Sequence, residues 1–391
     1  MVYMMKGLVM FRSGKVLCIS LGLVLATACS DDGNNVTPDA MVVVDGPVVD
    51  GPVVDGPIQN STGLAVAGDF NMTGTLARIN TATKVVEKNL VPGAVDQDPQ
   101  TRLIAGELFI VNRGKNNLTV LDAKTLAIKL QISTGAGSNP QDAAVFGNKI
   151  YVPVLGGKGV VVVTRGVTTT TEIDLSNLDT DGKPDCNSAI VVGTKLFVAC
   201  GGLQNFMPTI GKVVVIDTAN DTRVATIDLP NVNPFGQMVQ SPAGSNFAGD
   251  VLVSTSPDFT DQTKGCVARF APAAATPTAS CAITNAALGA NPSQMAVSAD
   301  GKSLFLTPQS FAGAAPLRRF DLTTGMLQTA PLSGTGQVIS DVAACPDGRI
   351  IAADQKAAAS GIRIFSLTGE ETTTPLDIGI KPLGGGALRC L

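Results

Sequence analysis

The feature that most constrains this chain is a unit of four short β-rich runs that recurs along most of its length. It reads most clearly from Asn139-Pro140, as NPQDAAVFGNKIYVPVLGGKGVVVVTRGVTTTTEIDL, with Gly-, Asn- or Thr-rich turns between the runs. Equivalent starts fall at Pro99, Pro140, Pro184, Pro234, Pro292, Ile339 and Pro382. The six steps between the first and last start average about 47 residues, the size of a four-stranded propeller blade. After Pro382 only one run remains, whereas Ser61 to Asp98 carries three runs without a first. Joined, these two pieces make one more unit. The expected fold is therefore all-β: a seven-bladed β-propeller in which the C-terminal strand completes the N-terminal blade. Blades are numbered from that composite one. A chain 45% hydrophobic and only 15% charged suits such buried strands.

Two of the runs, Lys149-Ile150-Tyr151-Val152 and Lys195-Leu196-Phe197-Val198, follow a common pattern. With turns such as Asp217-Thr218-Ala219-Asn220 and Asn80-Thr81-Ala82-Thr83, they resemble the YVTN-repeat family of bacterial surface propellers, over roughly residues 61–391. The resemblance implies a cell-envelope protein. Related propellers include lactonases, so it also implies the competing function, a metal-assisted hydrolase of lactonase type.

Residues 1–28 read as an export signal. Lys6, Arg12 and Lys15 precede the apolar run Val16 to Ala26, which ends at Ala26-Thr27-Ala28-Cys29. The run is too short for a stable membrane span. Cys29 after small residues resembles a bacterial lipobox, which implies lipid attachment at Cys29 and a membrane partner; a plainly secreted protein is the alternative. Ser30 resembles the outer-membrane sorting pattern, so the expected address is the outer membrane or cell surface. Residues 29–60 include Val-Val-Asp-Gly-Pro three times, from Val43 to Pro57. Proline at every fifth position opposes both helix and ladder pairing, so this segment reads as a disordered tether. Residues 61–391 form the propeller.

Of eight cysteines, Cys18 lies in the signal and Cys29 at the lipid site. The export context favours disulfides among the rest. Cys186 and Cys200 flank the first hairpin of one blade, Cys266 and Cys281 the outer hairpin of the next, and Cys345 and Cys390 lie near the ends of neighbouring innermost strands. Pairing in that order is expected. Zinc is the alternative, but the spacing lacks C-x-x-C and the chain has no histidine.

The absence of histidine also removes the usual general base and nucleophile activator, so a non-catalytic role is expected. A net charge of -4 without a basic cluster, no tryptophan and only 2 tyrosines argue against nucleic acid. One turn carries oxygen donors at alternate positions: Asn177, Asp179 and Asp181, then Gly182 and Asp185. That spacing suits Ca²⁺, although Ser188 stands where a bidentate Glu would close the loop. The bland alternative is a turn whose side chains bond its own backbone.

Blade connectivity places the second-to-third-strand loops and the blade-to-blade loops on one face, and the long ones fall on blades 4 to 6. Gln204, Asn205, Phe206, Met207, Asp258, Phe259, Asp261 and Phe311 form the candidate binding patch there. Its expected partner is a protein or glycan of the envelope or the extracellular space, met by a monomer. The aromatic residues have a competing use in packing their own loops down. Gln100, Gln141, Asp142, Gln237, Gln294 and Asp341, near the starts of innermost strands, are expected to ring the channel mouth with water between them.

Overall fold

The computed structural model describes residues 61–205, 207–258, 260–309, 315–382 and 384–391. Cys29, the signal and tether segments, Phe206, Phe259 and Phe311 lie outside the described residues.

Seven four-stranded antiparallel sheets make seven blades. Their innermost strands are Leu388–Cys390, Pro99–Ile104, Ala144–Phe146, Cys186–Val192, Pro234–Gln240, Asn291–Val297 and Ile339–Ala344, for blades 1 to 7 in order. Each innermost strand lies against that of the next blade, and that of blade 1 touches both blade 7 and blade 2, so the ring is closed.

The second and third strands read as apolar runs because neighbouring blades cover both of their faces. Leu108 to Val111 in blade 2 and Val213 to Ile216 in blade 4 are buried at every position. Strand period two is lost there, as it must be when neither face meets water. It returns at the rim, where Ile128–Ser133 alternates between more and less exposed positions. Blade-to-blade packing supplies the core: Tyr151, Val160 and Val162 of blade 3 sit against Leu196, Val198 and Val214 of blade 4.

Closure follows the expected route. Leu388–Cys390 pairs with Thr62–Gly68 in the register Gly63 to Cys390, Leu64 to Arg389 and Ala65 to Leu388. Thr62 and Leu391 exchange backbone hydrogen bonds of 3.0 and 2.9 Å. Cys345–Cys390 ties this strand to blade 7, while Cys186–Cys200 and Cys266–Cys281 bridge hairpins within blades 4 and 5. The three pairings are those expected from the repeat.

Among the described residues, an insertion in blade 4 and one in blade 5 face opposite ways. In blade 4, Leu203–Gln204 and Met207–Pro208 form a small hairpin on the loop face. In blade 5, residues 241–250 extend the first turn on the other face and latch onto blade 6, where Asn246 N–H donates to Leu322 O at 2.7 Å and Phe247 stacks on Phe320. Ser61 is on this second face, its N–H bonded to Asp347 in a first turn of blade 7.

Candidate functional site

The polar residues expected at the channel mouth form a network that crosses the channel, and two arginines organise it. Arg102 of blade 2 grips Asp142 of blade 3 with two bonds of 2.7 Å and donates to Met238 O of blade 5 at 3.2 Å. Asp142 also accepts from Ala143 N, Ala189 N, Ser188 Oγ and Gln237 Nε2. It is fully buried, and this donor set satisfies a buried carboxylate. From blade 5, Gln237 Nε2 reaches back to Thr101 O at 2.9 Å.

Arg389, on the closing strand, donates to Thr101 O and to Gln237 Oε1. Burial lowers its pKa to about 10, opposed by the charge of Asp341. Asp341 is fully buried and accepts from Ala387 N at 2.5 Å and Leu388 N at 2.7 Å; burial pushes its carboxyl above the usual range. The closing strand therefore meets the Asp341 carboxyl on one side and the neutral oxygens of Thr101 and Gln237 on the other. Direct bonds, in addition to any water, span the channel. Arg102 also lines an open pocket of about 220 Å³ with Leu103, Ile104, Val145, Ile190 and Val191.

Gln100 and Gln141 belong to a second, shallower group. Arg113 pairs with Asp98 and donates to Gln141 Oε1 at 3.5 Å, while Gln141 Nε2 turns to Asn139. Gln100, with its amide oriented to suit its neighbours, donates to Gln141 O at 2.5 Å and accepts from Arg113 at 2.9 Å. Gln294 takes the N–H of Gln237 on its Oε1. Gly236 lets these innermost strands approach so closely, since a Cβ there would stand 1.7 Å from Ser293 O.

On the loop face, the Asp-rich turn and the blade 4 hairpin are bonded to each other. Gln204 Nε2 donates to Asp179 Oδ1 at 3.1 Å and Thr180 Oγ1 at 2.5 Å, and Leu203 N–H donates to Asp185 Oδ2 at 2.6 Å. Gly202, at φ +50°, is the hinge of this contact, and a Cβ on it would meet Asp179 Oδ2 at 2.9 Å. The other oxygens serve their own turn: Asp179 caps Thr180 N–H, Asp181 caps Lys183 N–H, and Asn177 Oδ1 faces Arg223. Asp179 Oδ2 is buried with no hydrogen-bond partner among the described residues. Asp185 is raised to about 6, first by burial and then by the charges of Asp181 and Asp179, against the Leu203 N–H bond. Among the described residues no three His, Cys, Asp or Glu side chains gather so as to hold a metal ion.

Asp258 and Asp261 fold the neighbouring loop. Asp258 Oδ1 accepts from Thr260 Oγ1, Thr260 N and Asp261 N; Asp261 Oδ1 accepts from Thr263; Lys264 bridges both carboxylates. The Thr260 hydroxyl and these amides hold the Asp258 carboxyl well below its ordinary value, and the Thr263 hydroxyl does the same for Asp261. From beneath, Asn285 donates to Asn291 Oδ1 and Asn291 to Asp258 O. Met207 stands 67% exposed at the hairpin tip, beside Asn205 in a left-handed turn. Sequence reasoning placed the channel ring but missed Arg102 and Arg389, whose signal was a charged residue inside an innermost strand.

These elements define a closed seven-bladed β-propeller with a bridged axis and one elaborated loop face. No family profile matches the sequence, and no curated protein does. Solved propellers do match. The β-propeller domain of Cps50 (Swd1) from Myceliophteria thermophila aligns at TM-score 0.55 and 12% identity, over 78% of this chain and 96% of that one. Dihydro-heme d1 dehydrogenase NirN aligns at 0.53 and 13% identity, over 85% and 76%. AztD from Citrobacter koseri aligns at 0.52 and 11% identity, over 85% and 98%. At such identities the likeness shows the fold alone.

Proposed function

We propose that this chain is a non-catalytic binding propeller of the YVTN-repeat type, carried to the cell envelope as a lipoprotein and docking a protein or glycan through the loop face of blades 4 to 6. The observation that carries this reading is the pinning of adjacent long loops on a rigid ring. The blade 4 hairpin is fixed by three bonds to Asp179, Thr180 and Asp185, and the blade 5 loop by Asp258, Asp261 and Lys264. Loops held in one shape lose little entropy when a partner binds, and Met207 offers an apolar anchor already in water. The three disulfides accord with an exported protein.

The test is a photo-crosslinker placed at Met207 in the intact cell, with Val167, 46% exposed on the opposite face, as control. A discrete adduct at Met207 and none at Val167 supports the proposal. Equal labelling at both sites, or turnover of lactones or esters that is lost on Asp179→Asn, overturns it in favour of a hydrolase.

Calcium is a second reading, favoured by the unpartnered Asp179 Oδ2 beside the raised Asp185. Asp179, Asp181 and Asp185, which do not gather in this structure, would have to turn inward to hold the ion, with Asn177 joining only if it left Arg223. A Tm raised by millimolar Ca²⁺, reversed by chelator and absent in Asp181→Asn, supports it; an unchanged Tm leaves the turn as a self-bonded one.

A further inference from the structure

The three disulfides differ in how they meet water. Cys186 and Cys200 are both fully buried; Cys345 is buried and Cys390 half-buried. In the third pair Cys266 is fully buried while Cys281, on the outermost strand of blade 5, is exposed. Among the described residues, this pair alone has a side-chain amide aimed at its sulfurs: Asn231 Nδ2 lies 3.4 Å from Cys266 Sγ and 3.8 Å from Cys281 Sγ. Asn231 is itself held, since it sits in the short connection from blade 4 to blade 5 with its carbonyl packed on Gly211, where a Cβ would come within 2.1 Å.

We propose that Cys266–Cys281 is a site of thiol–disulfide exchange for a thiol-bearing partner, attacked at Cys281 and assisted at Cys266 by Asn231. Exchange needs an accessible sulfur for the incoming thiolate and a leaving sulfur able to carry negative charge. Exposure gives the first at Cys281. The Asn231 N–H gives the second at Cys266, where burial alone would raise the thiol pKa and slow departure. An external thiolate attacks Cys281 Sγ; the S–S bond breaks, and its electron pair leaves on Cys266 Sγ as a thiolate. The product is a mixed disulfide on Cys281. A second external thiol then takes the partner away as its own disulfide, returning Cys281 as a thiol, so two electrons enter the protein in all.

The site also has a place to act. Cys266 follows directly on the pinned loop 256–265, and its N–H and C=O both bond the Thr255 hydroxyl, at 3.0 and 2.8 Å. Opening the bridge leaves the outermost strand joined to Cys266–Phe270 by its backbone ladder alone, at the base of that loop. This inference stands whether or not the loop face binds a partner.

The intact protein is exposed to graded reduced glutathione, quenched with N-ethylmaleimide and mapped by peptide mass. Cys266 should be the first thiol labelled and Cys281 the one carrying glutathione, with Cys186–Cys200 still closed. Asn231→Ala should slow this opening about two- to tenfold, the worth of one hydrogen bond to the leaving group, with the Cys345–Cys390 rate unchanged as internal reference. Asn231→Asp, of the same size but with a charge that repels thiolate, should slow it at least as much. The order of opening is read on the parent alone. Prior opening of another pair, glutathione on Cys266, or variants that open at the parent's rate would overturn the proposal.

Discussion

Arg102 holds Asp142 by two parallel bonds of 2.7 Å across the junction of blades 2 and 3, with the carboxylate wholly buried. Such a pair is costly to break from one side, because the remaining charge stays in a place without water.

Arg102→Ala should therefore destabilise the propeller by about 3–5 kcal/mol, and the double variant Arg102→Met with Asp142→Leu should not recover that loss, because it leaves the Ala143 and Ala189 N–H groups without their acceptor. Urea unfolding measures both. A single variant as stable as the parent would show that the channel admits enough water to solvate Asp142.

Removing Leu388 to Leu391 should lower Tm much further than Cys390→Ser does. The point mutant loses one cross-link, a change typically costing about 2–5 kcal/mol in smaller domains. The truncation loses in addition three paired positions with Thr62–Gly68, the Arg389 bonds and the Asp341 contacts. Scanning calorimetry of both variants decides; equal Tm values would mean that the closing strand acts only through its cysteine.

Asp185 gives a pH signature. Its carboxyl titrates at about 6 in the folded chain, above the 3.8 of an unperturbed group. Between those values the folded state keeps a proton that the unfolded state has released. The stability it contributes is therefore complete below the unfolded value and is lost as pH rises through about 6. Asp185→Asn removes this titration. The parent's Tm minus the variant's should fall from acid to neutral pH; a flat difference refutes the assignment.

If the proposed lipoprotein reading holds, Cys29→Ser should release the protein from the membrane fraction or stall its maturation, since one thiol would carry the whole attachment. Fractionation with unchanged membrane association and unchanged processing would refute the anchor.

Much of the fold was legible because a blade repeats its own punctuation. Proline and glycine mark the strand starts, and the missing first run at Ser61 is supplied at Leu388. The outermost strands were less legible: in blades 1, 6 and 7 they shrink to Val86–Glu87, Met326–Leu327 and Gly369–Glu370, since a rim strand with one face in water needs no apolar run. The candidate sites were harder still. Asp179, Asp181 and Asp185 have the spacing of a cation loop, but spacing does not say whether an oxygen points inward or back to the next amide, as Asp181 does to Lys183. Gln237 was visible as polar; that it spans the axis to Thr101 depends on the diameter of a ring formed by residues far apart in sequence.

The pairing of Gly63 with Cys390 also sets an order of events in time. A chain made from its N-terminus presents Thr62–Gly68 long before the strand that covers it, so this edge stays bare while the blades between them are made. The other blades can form from neighbouring residues as they arrive, whereas blade 1 must wait for Leu388–Cys390. A stalled or clipped chain would then carry six blades and one bare edge, a template for adding strands from other molecules. Leu388–Cys390 thus acts as the latch on which burial of the Thr62–Gly68 edge depends.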